Sequence, residues 1–243
     1  MPDLVNAIAN VRNSVCAVMR ITALPQSNPG TPPQFRVAFV GTAWCIVQNR
    51  YFLTAHHVLN GGQPRNPNDK FSLFFVPNNG PLAFHALVTG FSLEDIPNDM
   101  AILEVASIPE NVGNVPAVPV TFQNKPDGSY VFTYGFPSPI ISAGNVDPNG
   151  NWLGGSLVLK GHANEGLVAG QYDSGGLIYE LNVGWHHGES GGPILCADPI
   201  AGFAIMQAYR PIQSPGGTYP GPHQGRSLVA IRTALQTLGA RVI

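Results

Sequence analysis

The stretch Gly188-Glu189-Ser190-Gly191-Gly192-Pro193 decides how the rest of the chain is read. Glycines on both sides of a serine permit a tight turn and let other groups approach its backbone closely. In such a turn the N–H groups of Gly188 and Ser190 can point into one space, where they would form an oxyanion hole. Ser190 is then a candidate nucleophile. The plain alternative is a Gly-rich hairpin, since Gly-Ser-Gly turns are common. A second string, Asp173-Ser174-Gly175-Gly176, also reads DSGG, but it lacks the trailing proline and carries Tyr172 where the first has Gly188. Ser174 is expected to be a hairpin residue.

Two further segments carry reactive side chains. Phe52-Leu53-Thr54-Ala55-His56-His57-Val58 follows the strand-like run GTAWCIV, so its histidines fall at a strand end, where one can face a cleft while its neighbour packs. An isolated His-His pair would be read as surface or core. Asn98-Asp99-Met100-Ala101-Ile102-Leu103 sets one acid directly ahead of an apolar strand. That acid could hold an imidazole through Nδ1–H, or simply cap the strand in a turn.

Taken together and in this order, GTAW with FLTAHHV, NDMAIL and GESGGP resemble the chymotrypsin/trypsin family of serine proteases, whose patterns read TAAHC, D-[IL]-A-[LV]-[LV] and GDSGGP. The resemblance runs from the strand at Ser14 to the C-terminal helix. It implies an all-β fold of two six-stranded antiparallel Greek-key barrels, with a short N-terminal segment and a C-terminal helix. Residues 1–112 would form the half carrying His57 and Asp99, and residues 113–243 the half carrying Ser190. By the same resemblance His57 is the general base, Asp99 its orienting carboxylate and Ser190 the nucleophile, with Gly188 and Ser190 supplying the oxyanion hole. His56 takes the place of a small residue and reads as structural.

The chain departs from the digestive enzymes in three ways. Glu189 replaces the Asp that, in secreted members, pairs with an N-terminus freed by activation cleavage, and no Ile-Val-Gly-Gly string follows an Arg or Lys. That arrangement resembles the bacterial intracellular or heat-shock-type branch. Val58 stands where those enzymes have a cysteine beside the catalytic histidine. For the substrate pocket the resemblance points to Gly184, with Ala204 and Gln207 opposite, and no carboxylate among them. A basic P1 side chain would be buried there without a partner, so a small or apolar P1 residue is expected.

Composition agrees with a turn-rich globular β protein. The 28 Gly and 23 Pro make about a fifth of the 243 residues, while 44% are apolar and only 11% charged. A net charge of −2 gives no electrostatic case for nucleic acid or an anionic membrane surface. Three cysteines are an odd number and none has metal-ligand spacing. The first residues show no apolar signal-peptide core, so a cytoplasmic location is expected. Neither a cofactor nor a metal is expected; His186-His187 with His57 lacks a Cys or acid in ligand pattern.

Short runs rich in Val, Ile, Phe and Thr predict strands at Ser14–Thr22, Phe35–Val47, Phe71–Val76, Ala83–Thr89, Met100–Val105 and Tyr130–Tyr134. Others follow at Ser156–Leu159, Gly176–Val183, Pro193–Cys196 and Gly202–Tyr209. Helical spacing marks Pro2–Asn13 and Ser227–Gly239, a hinge is placed at Ser107–Pro119, and long loops at Leu24–Gln34, Asn60–Lys70, Pro137–Trp152 and Pro211–Gly225. The expected partner is a protein or peptide substrate. Competing readings are a silent binding module on the same fold, a processing protease, and an effector gated by an activating or regulatory protein.

Overall fold

A computed structural model describes the chain apart from residues 1–2, 27, 29, 78–79, 81 and 174–176 and the side chains of 208–214 and 218–220. The second Ser-Gly-Gly string, with Ser174, lies outside the described residues. Strands β1 (Val15–Ala23), β2 (Phe35–Val47), β3 (Tyr51–Thr54), β4 (Lys70–Phe75), β5 (Phe84–Asp95) and β6 (Met100–Val105) close in the order β1-β2-β3-β6-β5-β4. All of their pairings are antiparallel.

A second closed antiparallel barrel is built from β7 (Tyr130–Gly135), β10 (His162–Asp173), β11 (Leu177–Leu181), β12 (Pro193–Ala197), β13 (Ile200–Ser214) and β14 (Gly217–Ser227). Closure leaves no unpaired edge in either sheet, which is how short, apolar strands stay soluble. The expected fold of two six-stranded barrels is borne out.

Side-chain size fixes where the barrels touch. Trp44 on β2 is fully buried, and a Cβ on Gly202 of β13 would run into its indole. The segment read as a hinge is strapped to both barrels. Val118 donates to the Cys45 carbonyl at 2.9 Å, and Gly202 donates to the Pro119 carbonyl at 2.8 Å. Helix α1 (Leu4–Val11) starts where the Asp3 carboxylate accepts from the Asn6 N–H, and it buries Ala7 and Val11. At the C-terminus Ser227 caps a 3-10 turn, Leu228–Ile231, that leads into α3 (Arg232–Thr237). Gly239, at φ +83°, then ends it.

Two of the expected loops contain strands. Pro137–Trp152 includes β8 (Ile140–Val146), paired with β9 (Trp152–Val158) in a separate two-stranded sheet. Pro211–Gly225 is the far half of the β13–β14 hairpin, where Pro211 faces Pro220. Their Gly, Pro and Asn content hides the strand signal, because backbone pairing rather than an alternating apolar face carries these ribbons.

Cys16, Cys45 and Cys196 are free and buried. Burial pushes the Cys45 thiol up to about 12 and raises that of Cys16, so neither is a reactive thiolate at neutral pH. In the native protein, Ellman's reagent should titrate none of the three at a measurable rate, and all three once urea unfolds the chain. Fast reaction of the native protein would contradict this packing.

Candidate active site

His57 opens a single helical turn, α2 (His57–Asn60), directly after β3. Its backbone N–H donates to Asp99 Oδ1 at 2.7 Å, and its Nδ1 lies 2.8 Å from Asp99 Oδ2. One carboxylate thus holds both the main chain and the ring. Asp99 adopts φ +55°, a region that Asp tolerates better than most residues. Its turn is fastened by its own N–H to the Ile96 carbonyl and by Asn98 bonds to the Asp95 carboxylate. His56 points the other way. It is 1% exposed, with Nε2 3.9 Å from the Glu94 carboxylate that binds Arg65.

Ser190 comes from the other barrel, just ahead of β12, and shares one cleft of about 650 Å³ with His57. Gly188, Ser138 and Gln207 line it, as do Trp185, His186, His187 and His223. Ser190 Oγ donates to the Gln207 carbonyl at 3.1 Å, while the Gln207 side chain donates to the Asn98 carbonyl at 3.1 Å. Gln207 therefore links the Ser190 hydroxyl to the loop that presents Asp99. Of the other expected pocket residues, Gly184 is exposed, with nothing within 4 Å of a Cβ placed on it. Ala204 is fully buried between its strand partners Ile194 and Ser227, and does not line the cleft.

The glycines around Ser190 have specific causes. Gly188 sits at φ +99° in a turn closed by Glu189 N–H donating to the His186 carbonyl at 3.1 Å. A positive φ at the third position but not at the second, His187, defines a type II turn. Within the His187–Gly188 peptide the carbonyl accepts from Ser138 N–H at 2.7 Å. In a trans peptide the N–H points opposite to the C=O, so the Gly188 N–H is turned away from that bond. Neither the Gly188 nor the Ser190 N–H donates to another group among the described residues. At Gly191 (φ +84°) a Cβ would strike Thr54 and the Thr42 carbonyl.

Thr42 on β2 clamps this loop from the first barrel. Its N–H donates to the Ser190 carbonyl at 2.8 Å and its hydroxyl to the Gly188 carbonyl at 2.7 Å, while Phe136 N–H donates to the same hydroxyl at 3.1 Å. Thr42→Val keeps the shape but leaves the Phe136 N–H and the Gly188 carbonyl unpaired. At about 1–3 kcal/mol for each buried orphan, stability should fall by roughly 2 kcal/mol or more. A urea midpoint equal to wild type would contradict it.

Thr42 stands inside the GTAW string, but nothing in that string marks it as a clamp on the serine loop. Ser138, Trp185 and His223 carry no sequence signal, because they reach the cleft from three separate loops and strands. Among the described residues no group of three or more His, Cys, Asp or Glu could hold a metal ion. No helix among them is long and apolar enough to cross a membrane.

The family model of the trypsin-like peptidase domain matches residues 41–199, about two thirds of the chain. The chain therefore belongs to the trypsin-like peptidase family. Its fold is similar to that of the HtrA-type protease AlgW, solved with a decapeptide, at a TM-score of 0.65 and 14% identity. That match covers 96% of this chain and 66% of the other. A single-substitution variant of AlgW, also with decapeptide, matches at a TM-score of 0.62 and 15% identity, with the same coverage of 96% and 66%. The chain thus spans about two thirds of the length of those structures. No curated protein sequence matches it.

Proposed function

We propose that the protein is a serine endopeptidase that cleaves peptide bonds through an acyl-enzyme on Ser190. The observation that carries this reading is the 2.8 Å contact of His57 Nδ1 with Asp99, in a histidine that faces the same cleft as Ser190. Asp99 accepts a hydrogen bond from Nδ1–H, which keeps the proton on Nδ1 and leaves Nε2 as the basic nitrogen. Ser190 Oγ bonds to the carbonyl carbon of the substrate as its proton passes to Nε2. The oxyanion that forms is met by the N–H groups of Gly188 and Ser190. Collapse breaks the C–N bond, the leaving amine takes the proton from His57, and water repeats the sequence on the ester.

One observation favours a gated form of this activity. Ser190 Oγ donates to the Gln207 carbonyl, so attack first gives up that hydrogen bond, about 1 kcal/mol. A bound peptide or a regulatory partner could supply that. The decapeptide in the AlgW structures supports a peptide as the ligand. The three unpaired thiols support a reducing, cytoplasmic setting.

For P1 we propose a small or apolar side chain. Among the described residues no carboxylate lines the cleft, while Trp185 and several imidazoles do. A lysine or arginine would shed water there for no compensating charge. In a P1-varied peptide library, small and apolar residues should exceed Arg and Lys by about a hundredfold in kcat/KM, the equivalent of roughly 3 kcal/mol. Arg or Lys as the best residue would overturn the pocket assignment. Cleavage of no member would overturn the endopeptidase reading.

A further inference from the structure

Glu189 is 0% exposed although it carries a carboxylate, and the proton-transfer scheme has no use for it. Burying an ionisable group is expensive unless donors meet it. Two do. Oε2 accepts from the His186 N–H at 2.5 Å, and Oε1 accepts from Asn164 Nδ2 at 3.3 Å. Asn164 lies on β10, where it pairs with Thr133 of β7 in the wall of the second barrel. Gly135, the last residue of β7, makes room for the side chain, since a Cβ there would come within 3.1 Å of Glu189 Cγ.

We propose that Glu189 and Asn164 are positioning residues that tie the His186–Glu189 turn to the barrel wall and hold it in the form that presents the Gly188 N–H. This rests on the reading of Ser190 as the nucleophile. The turn has an alternative. Types I and II differ by a flip of the central peptide, here His187–Gly188, and the type I form turns the Gly188 N–H over and puts the His187 carbonyl in its place. Glycine's freedom makes that flip inexpensive for the chain itself. Ser138 holds the peptide directly through the His187 carbonyl. The carboxylate fixes the turn's first residue, so that the His187 carbonyl and Ser138 stay in register.

Burial raises the Glu189 pKa above the usual carboxylate value, against the donors that lower it. Among the described residues, His186 of its own turn is the titratable group acting on it, while β7 and β10 present Gly135 and Asn164.

The test is steady-state kinetics of four variants with a peptide substrate, over a range of pH. Glu189→Ala removes both anchors and should lower kcat about 10²-fold with KM little changed, comparable to losing one oxyanion donor. Glu189→Gln can accept from His186 and, after Asn164 turns its amide over, donate to Asn164 Oδ1, so it should restore most of the rate. Asn164→Ala should lose part of it. Asn164→Asp sets two carboxylates against each other, and both cannot stay ionised. Its kcat relative to wild type should therefore rise as pH falls, a trend that a merely structural role would not give.

If Glu189→Ala does not fold, the Asn164 pair carries the test, since that side chain is only half-buried. An active wild type with unchanged Glu189→Ala or Asn164→Asp kinetics, or with effects in KM alone, overturns this role and leaves Ser190 in place. A wild type that turns over no peptide overturns the Ser190 reading and this role with it.

Discussion

Ser190→Ala is expected to lower peptide hydrolysis by about 10⁴- to 10⁶-fold, leaving only what binding and the oxyanion donors provide. The nucleophile is lost, while the turn around it has every reason to persist. Gly188 and Gly191 keep their positive φ, and the Thr42 bonds run to the carbonyls of Gly188 and Ser190 rather than to the serine hydroxyl. The variant should therefore melt near wild type. Ser174→Ala should leave hydrolysis largely intact. Activity that survives at position 190 and disappears at 174 would reassign the nucleophile.

Asp99→Asn is the second large effect. The Asp99 carboxylate accepts both from the His57 N–H and at Nδ1. An amide can keep the first bond, but its NH₂ would face Nδ1 as a donor. The ring then takes the other tautomer, with its proton on Nε2, and can no longer accept the proton of Ser190. A fall of about 10⁴ in kcat is expected at neutral pH. The loss should be mostly in kcat, because Asp99 does not line the cleft. A drop of less than tenfold in a stopped or continuous peptide assay would mean that the 2.8 Å contact does not set the tautomer.

The strands that were legible in sequence are those with a buried apolar face. Met100–Val105 and Phe35–Val47 read directly because residues such as Ile102, Leu103, Trp44 and Cys45 are wholly buried. By contrast β8 and β10 are rich in Gly, Asn and exposed residues, and the outer β13–β14 hairpin in Gly, Pro and Gln, so their alternation is too weak to mark a strand. That blind spot had a functional consequence. Asn164 sits on β10, so the hydrogen-bond partner of the buried Glu189 carboxylate carries no sequence signal. The pocket shows the same limit. Ala204 and Gln207 are near neighbours on one strand, yet only Gln207 reaches the cleft. His223 arrives from β14, across from Tyr209. Sequence spacing singles out His57, Asp99 and Ser190 because each sits in a local string that fixes its own turn. It does not recover walls assembled from distant strands.

Whether Ser190 is an activated nucleophile is decided by its reaction with a fluorophosphonate. Attack by Ser190 Oγ forms an O–P bond and expels fluoride, with the proton passing to His57. Wild-type protein treated with the reagent should gain the mass of one phosphonyl group. Peptide mapping should place that group on Ser190, and Ser190→Ala should gain none. No adduct on folded wild-type protein, or an adduct on any other serine, would contradict the account.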